Sequence, residues 1–458
     1  SDPKLSTHGV ISHCALERSE YVRYERDKAY GQNLDMQRRV AASRTVFVTD
    51  GNRYVEIDND NFDGLGHYRS TTKRGNFQSS EVSRTEFTDF NDNNGTYRLD
   101  EATHEPGDEH TFSMPEPSAP WVLGTYDEHW MNSGTSTIRE RYCFDHSTGF
   151  LDRKRIQYNP ENKSDRDVLM AYSPHSDGNI KTEKAYGGDN RGVPTDTCGG
   201  TLTDESFHLE HEYSGGVRKS SRYIGTGLTF KVMDLDIDVR SGLAVRSRDA
   251  AGLATDHEYD LMGRSTWAKQ VASGPGGRDA WTEVEYKIAS PIAGACHDSS
   301  RDADELGGCA RVTVRQRASA SQTGAVLAEI ESYADGLGRE ILTRTHLPGG
   351  NWTNVATDYN GMNWKVRVSA PSSVPTFATL YEQYDPFGRP RRIVPPDGGG
   401  HEVKISYGGI RSIDRIVRIA TGAAGQEASA TTTEVYDALG RLVSVAEPRP
   451  TGDGTSQP

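Results

Sequence analysis

The sequence lacks any run near the roughly 20 consecutive apolar residues that a transmembrane helix requires, so we expect no membrane span. It also lacks an excess of basic over acidic residues. Its 66 acidic and 52 basic residues give a net charge of −14, which disfavours binding to nucleic acid. No GxSxG, HExxH or P-loop motif occurs. We therefore predict neither an enzyme nor a cofactor.

Cysteine is scarce, with five residues in the chain: Cys14, Cys143, Cys198, Cys296 and Cys309. An odd number means that at least one is free or paired outside the chain. No CxxC pair occurs, which argues against a structural zinc ribbon. Cys296 and Cys309 bracket a polar loop, and a disulfide between them is plausible in an oxidising compartment. Two unpaired thiols are the alternative.

Apolar content is low for a single packed core, because hydrophobic residues make up 34% of the chain and mean hydropathy is −0.72. The 458 residues leave room for two to four domains or for one long repeat array. The chain begins at Ser1 without a methionine or a signal segment, and residues 451–458 resemble a linker. We expect an internal fragment of a longer protein.

A short motif recurs: tyrosine, aspartate, two residues, glycine, arginine. The three regular copies are Tyr259, Asp260, Gly263 and Arg264; Tyr384, Asp385, Gly388 and Arg389; and Tyr436, Asp437, Gly440 and Arg441. A copy with one extra residue consists of Tyr333, Asp335, Gly338 and Arg339, and a degenerate copy runs from Tyr359 to Asn363. The tyrosines recur about every 25 residues, which suits one supersecondary unit that stacks on its neighbours.

Each unit has the pattern of a β-hairpin. A run of alternating polarity leads into the tyrosine, the Asp-x-x-Gly segment is typical of a turn, and a second alternating run follows. We predict an all-β fold of repeated antiparallel hairpins forming a curved strip. Its parts are a degenerate β-rich region (1–130), divergent repeats with insertions (131–230), regular repeats (231–446) and a linker-like end (447–458).

At these residues the chain resembles the YD-repeat, or RHS, family. The similarity is closest over residues 236–243, 249–255 and 259–264, and the upstream segments 120–125 and 144–149 resemble repeats of its toxin members. The resemblance implies hairpin strips that spiral into a hollow shell, as in Tc toxin cocoons, Rhs polymorphic toxins and teneurins. The chain departs from the toxins because it has no paired Asp-Pro-x-x-Gly motif near its end. Self-cleavage and toxicity are therefore not implied.

The function implied is structural: a shell segment that encapsulates or presents an effector in a secreted or cell-surface bacterial protein. Its implied partners are the rest of a larger RHS-type polypeptide and the enclosed effector. An acidic lining, if the inner face shares the negative bias, would suit basic or partly unfolded cargo. The alternatives are an extracellular adhesion or carbohydrate-binding module and, third, a glycosidase or self-cleaving protease.

The repeat residues have a structural interpretation. The tyrosine ring buries area between strands, and the arginine lies over a neighbouring tyrosine or pairs with the aspartate one repeat away. A carbohydrate-reading surface is the alternative. Residues 58–64 and 89–95 resemble calcium loops only superficially. His208, Glu210 and Glu212 would share one strand face, which could bind a metal, although a solvated strand is the simpler interpretation.

Overall fold

The computed structural model describes most of the chain, in segments separated by gaps. The described residues are 18–25, 39–48, 51–62, 66–76, 82–90, 122, 124–134, 136–145, 147–164, 166–188, 193–194, 196–225, 227–270, 280–289, 308–318, 323–347, 350–374, 376–420 and 427–448. Within them the fold is all-β, as predicted, with a short 3-10 turn at Gly399–His401 among the connections. None of the described elements is a helix long and apolar enough to cross a membrane.

The described residues form 28 strands. They are β1 (Arg18–Glu25), β2 (Arg39–Phe47), β3 (Arg53–Phe62), β4 (Tyr68–Gly75), β5 (Val82–Phe90), β6 (Tyr126–Ser133), β7 (Ser136–Phe144), β8 (Leu151–Ile156), β9 (Val168–Pro174), β10 (Ile180–Gly187), β11 (Phe207–Ser214), β12 (Val217–Gly225), β13 (Leu228–Ile237), β14 (Ala244–Arg248), β15 (Ala254–Tyr259), β16 (Ser265–Gln270), β17 (Ala280–Lys287), β18 (Ala310–Arg317), β19 (Val326–Ala334), β20 (Glu340–His346), β21 (Trp352–Tyr359), β22 (Lys365–Ser369), β23 (Ala378–Glu382), β24 (Arg392–Val394), β25 (Val403–Gly408), β26 (Ser412–Ala420), β27 (Glu427–Tyr436) and β28 (Leu442–Ala446).

The strands form one antiparallel meander. Each strand from β2 to β27 pairs with the strand before it and the strand after it in the chain. No pairing within the described residues joins β1 to β28, so the sheet is an open strip rather than a closed barrel. This confirms the predicted architecture of repeated hairpins.

The repeat motif forms the hairpin turns at one edge of the strip. In the turn after β15, the Gly263 amide donates to the Asp260 carbonyl at 3.0 Å, and Gly263 has a φ of +78°. The pairing register shifts between Glu258 and Tyr259. A type I turn followed by a left-handed residue and a bulge is a common hairpin connection, and glycine adopts the left-handed conformation without steric cost.

The strip also contacts itself across long sequence distances. Met362, in the turn after β21, packs with Phe47 at the end of β2. In the turn after β23, the ring centre of Phe387 lies 4.2 Å from the guanidinium carbon of Arg84 in β5. The turn after β25 meets β7 through a hydrogen bond from Ser136 Oγ to the Gly408 carbonyl (3.3 Å).

These contacts advance together along the chain. The turn after β21 meets the β2–β3 connection, the turn after β23 meets β4–β5, and the turn after β25 meets β6–β7. In each case the two strands that end at the contact are 19 strands apart along the chain. The strip therefore winds around once in about 19 strands, and we call each such round a circuit. The turns along one edge of the second circuit meet the turns along the opposite edge of the first. We call this line of contacts the seam.

The seam has a testable apolar contact. Phe47 is 7% exposed and Met362 is 9% exposed, with Val55 and Trp364 beside them. Phe47→Ala should lower the free energy of unfolding by about 3 kcal/mol, because it empties a buried aromatic site. It should also speed hydrogen exchange of residues 360–369, which are remote in sequence.

The matched control is Val46→Ala, on the other face of β2 beside Tyr54. It should leave exchange at 360–369 unchanged. Equal hydrogen-exchange rates at residues 360–369 in the two variants would contradict a contact between β2 and the turn after β21.

Candidate functional site: the repeat turns and the two faces of the strip

The aspartate of each repeat caps its own turn. Asp335 Oδ1 accepts hydrogen bonds from the backbone amides of Leu337 and Arg339, both at 2.9 Å. Its Oδ2 accepts from Arg339 Nε at 2.6 Å. The same three contacts recur at Asp260, Asp385 and Asp437. The sequence-based suggestion that arginine pairs with the aspartate one repeat away is wrong, because the pair closes within a single turn.

Three of these carboxylates, those of Asp335, Asp385 and Asp437, are buried. Burial of Asp335 and Asp437 opposes ionisation, but hydrogen bonds from the arginine amide and guanidinium outweigh burial, so both pKa values lie below the ordinary 3.8. The carboxylate of Asp385 has no exposed surface at all. The turn thus supplies enough donors to hold a charge away from water.

The same arginine reaches the next repeat. Its guanidinium lies over the ring of the tyrosine that follows it in the array. The distances from guanidinium carbon to ring centre are 4.5 Å for Arg264 and Tyr286, 5.0 Å for Arg339 and Tyr359, and 4.1 Å for Arg389 and Tyr407. A cation over an aromatic face is attracted by the ring quadrupole. Each turn is therefore linked to the hairpin after it.

The tyrosine hydroxyl makes the return contact. Tyr359 Oη donates to the Glu340 carbonyl at 3.0 Å, and Tyr407 Oη donates to the Pro390 carbonyl at 3.1 Å. Each acceptor directly follows the arginine of the preceding repeat. Tyr384 makes the equivalent bond to the Lys365 carbonyl, and burial raises its pKa to about 12. These hydrogen bonds link Tyr359, Tyr384 and Tyr407 to the turn of the preceding repeat.

Tyr333 and Tyr436 use a different acceptor. Their hydroxyls donate to Glu331 Oε2 at 3.0 Å and to Glu434 Oε2 at 2.8 Å, two residues earlier on the same strand.

The degenerate copy shows which part of the turn is independent of charge. Asn360 Oδ1 accepts from the amides of Met362 and Trp364, both at 3.0 Å, as the aspartates do elsewhere. Asn363 takes the glycine position with a φ of +64°. Trp364 replaces the arginine, and its ring centre lies 5.0 Å from that of Tyr384. The turn and the contact with the next tyrosine therefore persist without an ion pair.

Strand register divides the strip into two faces, because successive side chains point to opposite sides. From β13 to β25, one face, which we call the charged face, carries rows of arginine–carboxylate pairs across neighbouring strands. The pairs include Arg246–Asp256 (2.5 Å), Arg248–Asp236 (2.7 Å), Arg317–Glu283 (2.8 Å), Arg315–Glu329 (2.9 Å) and Arg344–Glu331 (3.1 Å).

The opposite face of β13–β25, which we call the uncharged face, has a different composition. Its residues in unbroken register include Met233, Leu235, Val245, Ser247, Thr255, His257, Ala268, Gln270, Thr282, Val284, Tyr286, Val312, Val314, Gln316, Ala328, Ile330, Ser332, Thr343, Thr345, Thr353, Val355, Thr357, Val368, Thr379, Tyr381, Ile393, Val403, Ile405 and Tyr407. None of these is an aspartate, glutamate, lysine or arginine. Within the paired strands the formal charge is thus concentrated on one face. At the edge formed by the repeat turns, the guanidiniums of Arg264 and Arg389 lie over Tyr286 and Tyr407 of the uncharged face.

Within the described residues, the acidic and histidine patterns noted in the sequence do not come together as a metal site. Asp58 belongs to β3 rather than to a loop, and Arg74 pairs with it at 2.8 Å. His208 and Glu210 both lie on β11, and His208 also faces Glu205 at 3.3 Å. Within the described segments no group of three or more His, Cys, Asp or Glu residues could hold a metal. The calcium-like segment 89–95 lies largely outside the described residues.

A disulfide joins Cys143 on β7 to Cys198, 55 residues later. Sequence reasoning missed this bond, since no motif or short spacing connects the two residues. Cys309 is buried and disulfide-bonded. Cys296 lies outside the described residues, so the Cys296–Cys309 pairing stays a prediction.

No family profile matches the chain, and no curated protein matches it. Solved structures similar to it include the Photorhabdus luminescens Tc holotoxin pore with a mutated TccC3, at 12% identity and a TM-score of 0.28 over 94% of this chain and 24% of that chain. A complex of TcdB2, TccC3 and Cdc42 is similar at 11% identity and a TM-score of 0.22 over 93% and 27%. The chain spans about a quarter of the length of the chains it matches. The fold assignment rests on the strand pairing described above.

The degenerate copy generates a prediction for the ion pair. Asp385→Asn should cost about 1–2 kcal/mol of unfolding free energy, because Asn keeps the acceptor for the turn amides and loses only the charge facing Arg389. Asp385→Ala should cost about 3–4 kcal/mol, because the turn amides also lose their acceptor. Urea unfolding of the two variants measures the difference, and equal losses would show that the carboxylate does not cap the turn.

The turn glycines allow a second matched comparison. Gly388 (φ +79°) and Gly440 (φ +74°) share a left-handed backbone, but a Cβ on Gly388 would lie 3.0 Å from Trp364 Nε1, whereas a Cβ on Gly440 would meet nothing within 4 Å. Gly440→Ala should therefore cost about 1 kcal/mol, the price of the conformation alone. Gly388→Ala should cost about 1 kcal/mol more in thermal unfolding. Identical losses would mean that Trp364 moves aside freely.

Proposed function

We propose that this chain is a length of wall in a shell that encloses another polypeptide. The observation that carries the proposal is the seam, where later turns meet strands 19 positions earlier through Met362, Phe387 and Gly408. A strip that only curved would leave its edges apart, whereas edges that meet make a continuous surface. Such a surface can separate its contents from solvent and proteases.

The contribution of the chain in this proposal is physical rather than catalytic. The conspicuous carboxylates of the repeat turns are already engaged by backbone amides and by arginine, as at Asp335 and Asp385. A catalytic carboxylate needs a free oxygen directed at a substrate. The proposed chain acts without a cofactor, as a scaffold.

We assign the uncharged face to the inside of the shell. An enclosed polypeptide exposes apolar side chains and backbone, and it would contact Val, Ile, Thr and Ala without desolvating a charge. The charged face then meets water, where paired arginines and carboxylates keep the outside soluble. This assignment replaces the acidic lining considered from net charge, because the described residues of that face from β13 to β25 hold no carboxylate in register.

The proposed partners are the remainder of a larger RHS-type polypeptide and an effector within the shell, in a secreted or cell-surface bacterial protein. The disulfide between Cys143 and Cys198 supports an oxidising compartment, where such bonds form and persist.

An adhesion or carbohydrate-binding module would present an aromatic platform. The main aromatic cluster instead packs ring against ring, with 4.5 Å between the ring centres of Tyr126 and Tyr142 and 4.4 Å between those of His67 and Phe90. Tyr142 is only 8% exposed. We therefore favour encapsulation over carbohydrate recognition.

The experiment measures binding of the chain to a permanently unfolded protein, reduced and carboxymethylated α-lactalbumin, by fluorescence anisotropy. The wild type should bind with little dependence on salt, because the contact is uncharged. The double variant Ile330→Lys with Thr343→Lys places two charges on the uncharged face. It should weaken binding at least about tenfold, since burying each unpaired ammonium costs more than 1 kcal/mol.

The control is Leu261→Lys, which adds a lysine at a fully exposed turn position. It should bind as the wild type does. Binding that is unaffected by the double variant, or that disappears with salt in the wild type, would overturn the assignment of the uncharged face to the inside.

A further inference from the structure

Part of the connection between β10 and β11 lies back over earlier strands. Residues 196–200, which we call the strap, contact β7 and β8, although β9 and β10 intervene in the chain. The disulfide from Cys198 to Cys143 attaches the strap to β7, with 5.3 Å between the two Cα atoms. It is the one covalent link described between these strap residues and the sheet beneath them.

Arginines of β8 also contact the strap region through hydrogen bonds to backbone carbonyls, and Thr197 of the strap is buried. Arg153 Nη1 donates to the Gly199 carbonyl at 2.8 Å and to the Thr197 carbonyl at 3.4 Å. Arg155 Nη1 donates to the Pro194 carbonyl, just before the strap, at 2.6 Å.

Arg155 is held independently of the strap. Its Nε lies 2.7 Å from Asp167 Oδ2, and the two side chains are 1% and 0% exposed. The strap is thus a separate layer on a sheet that has its own support. The pairing of β7 with β8, β8 with β9 and β9 with β10 involves no strap residue.

The disulfide is accessible to a reductant. Cys198 lies in an exposed position and Cys143 is half-buried. Both line a cavity of about 380 Å³, together with Arg153, Lys184 and Tyr186. Cys198 is the strap residue that lines this cavity, so release of the strap would open the cavity at that point and free Arg153 from the strap carbonyls.

We propose that the Cys143–Cys198 disulfide is a redox-sensitive latch that holds the strap against the sheet and opens in a reducing compartment. A dithiol reductant supplies two electrons and two protons. The S–S bond breaks, both cysteines become thiols, and the reductant becomes a cyclic disulfide. The strap then depends on a few hydrogen bonds to backbone carbonyls, which water can replace. The latch rests on contacts within the strip and is independent of the proposed enclosure.

The test is hydrogen exchange of the whole chain, oxidised and after treatment with dithiothreitol. Exchange of the amides within residues 196–202 should accelerate at least about tenfold on reduction, because local opening no longer requires the covalent link. Exchange in β7–β10 should change little, and reoxidation should restore the original rates.

The Cys143→Ser with Cys198→Ser double variant separates this bond from the disulfide at Cys309. It should show fast strap exchange without reductant and no further change there when reductant is added. Arg153→Gln, with the disulfide intact, should accelerate strap exchange far less. Unchanged strap exchange on reduction would overturn the latch, and so would loss of protection throughout β7–β10, which would make the bond a support of the whole sheet.

Discussion

The side-chain oxygen that caps each repeat turn, from aspartate or at the degenerate copy from Asn360, is the interaction on which the rest of the strip depends. A wall one sheet thick has few residues that neighbours can cover on every side, so it cannot rely on a layered core. Hydrogen bonds and ring contacts of the turn residues stabilise the strip in place of such a core. The carboxylate of Asp385 orders the turn amides and orients Arg389, and Arg389 lies over Tyr407 of the next unit. Stability therefore passes from neighbour to neighbour, as in other repeat proteins.

The two faces follow from the same thinness. A strand in a single sheet shows both faces to its surroundings, and period-two alternation lets each face have its own chemistry. Long arginine and glutamate side chains lie across the charged face and cover it, so that Glu331 is 7% exposed and Thr313 is 1% exposed. The opposite face carries many Val, Ile and Thr side chains that lie less covered, and Ile330 there is 40% exposed. Burial in this strip thus depends on side-chain length as well as on polarity.

Local features were predictable from the sequence, and long-range ones were not. Alternation and the Asp-x-x-Gly spacing predict the hairpins, because turn chemistry is decided within a few residues. Of the two partners expected for the arginine, the neighbouring tyrosine is confirmed and the aspartate one repeat away is wrong. The sequence cannot say whether Asp335 is reached from its own repeat or from another. The seam and the Cys143–Cys198 bond depend on how far the strip curves. Phe47 and Met362 carry no motif that would mark them as neighbours.

The 19-strand step of the seam has a consequence for size and growth. Strands lie about 4.8 Å apart, so a circular circuit measures roughly 90 Å around and about 30–40 Å across once strand tilt is included. Side chains narrow that bore further, and a folded domain of 100 residues, with a radius of gyration of about 13 Å, is too wide for it. Successive turns of a meander alternate between its two edges. An odd number of strands per circuit therefore places a turn of one edge against a turn of the opposite edge. The bore can therefore widen only by whole hairpins, two strands at a time.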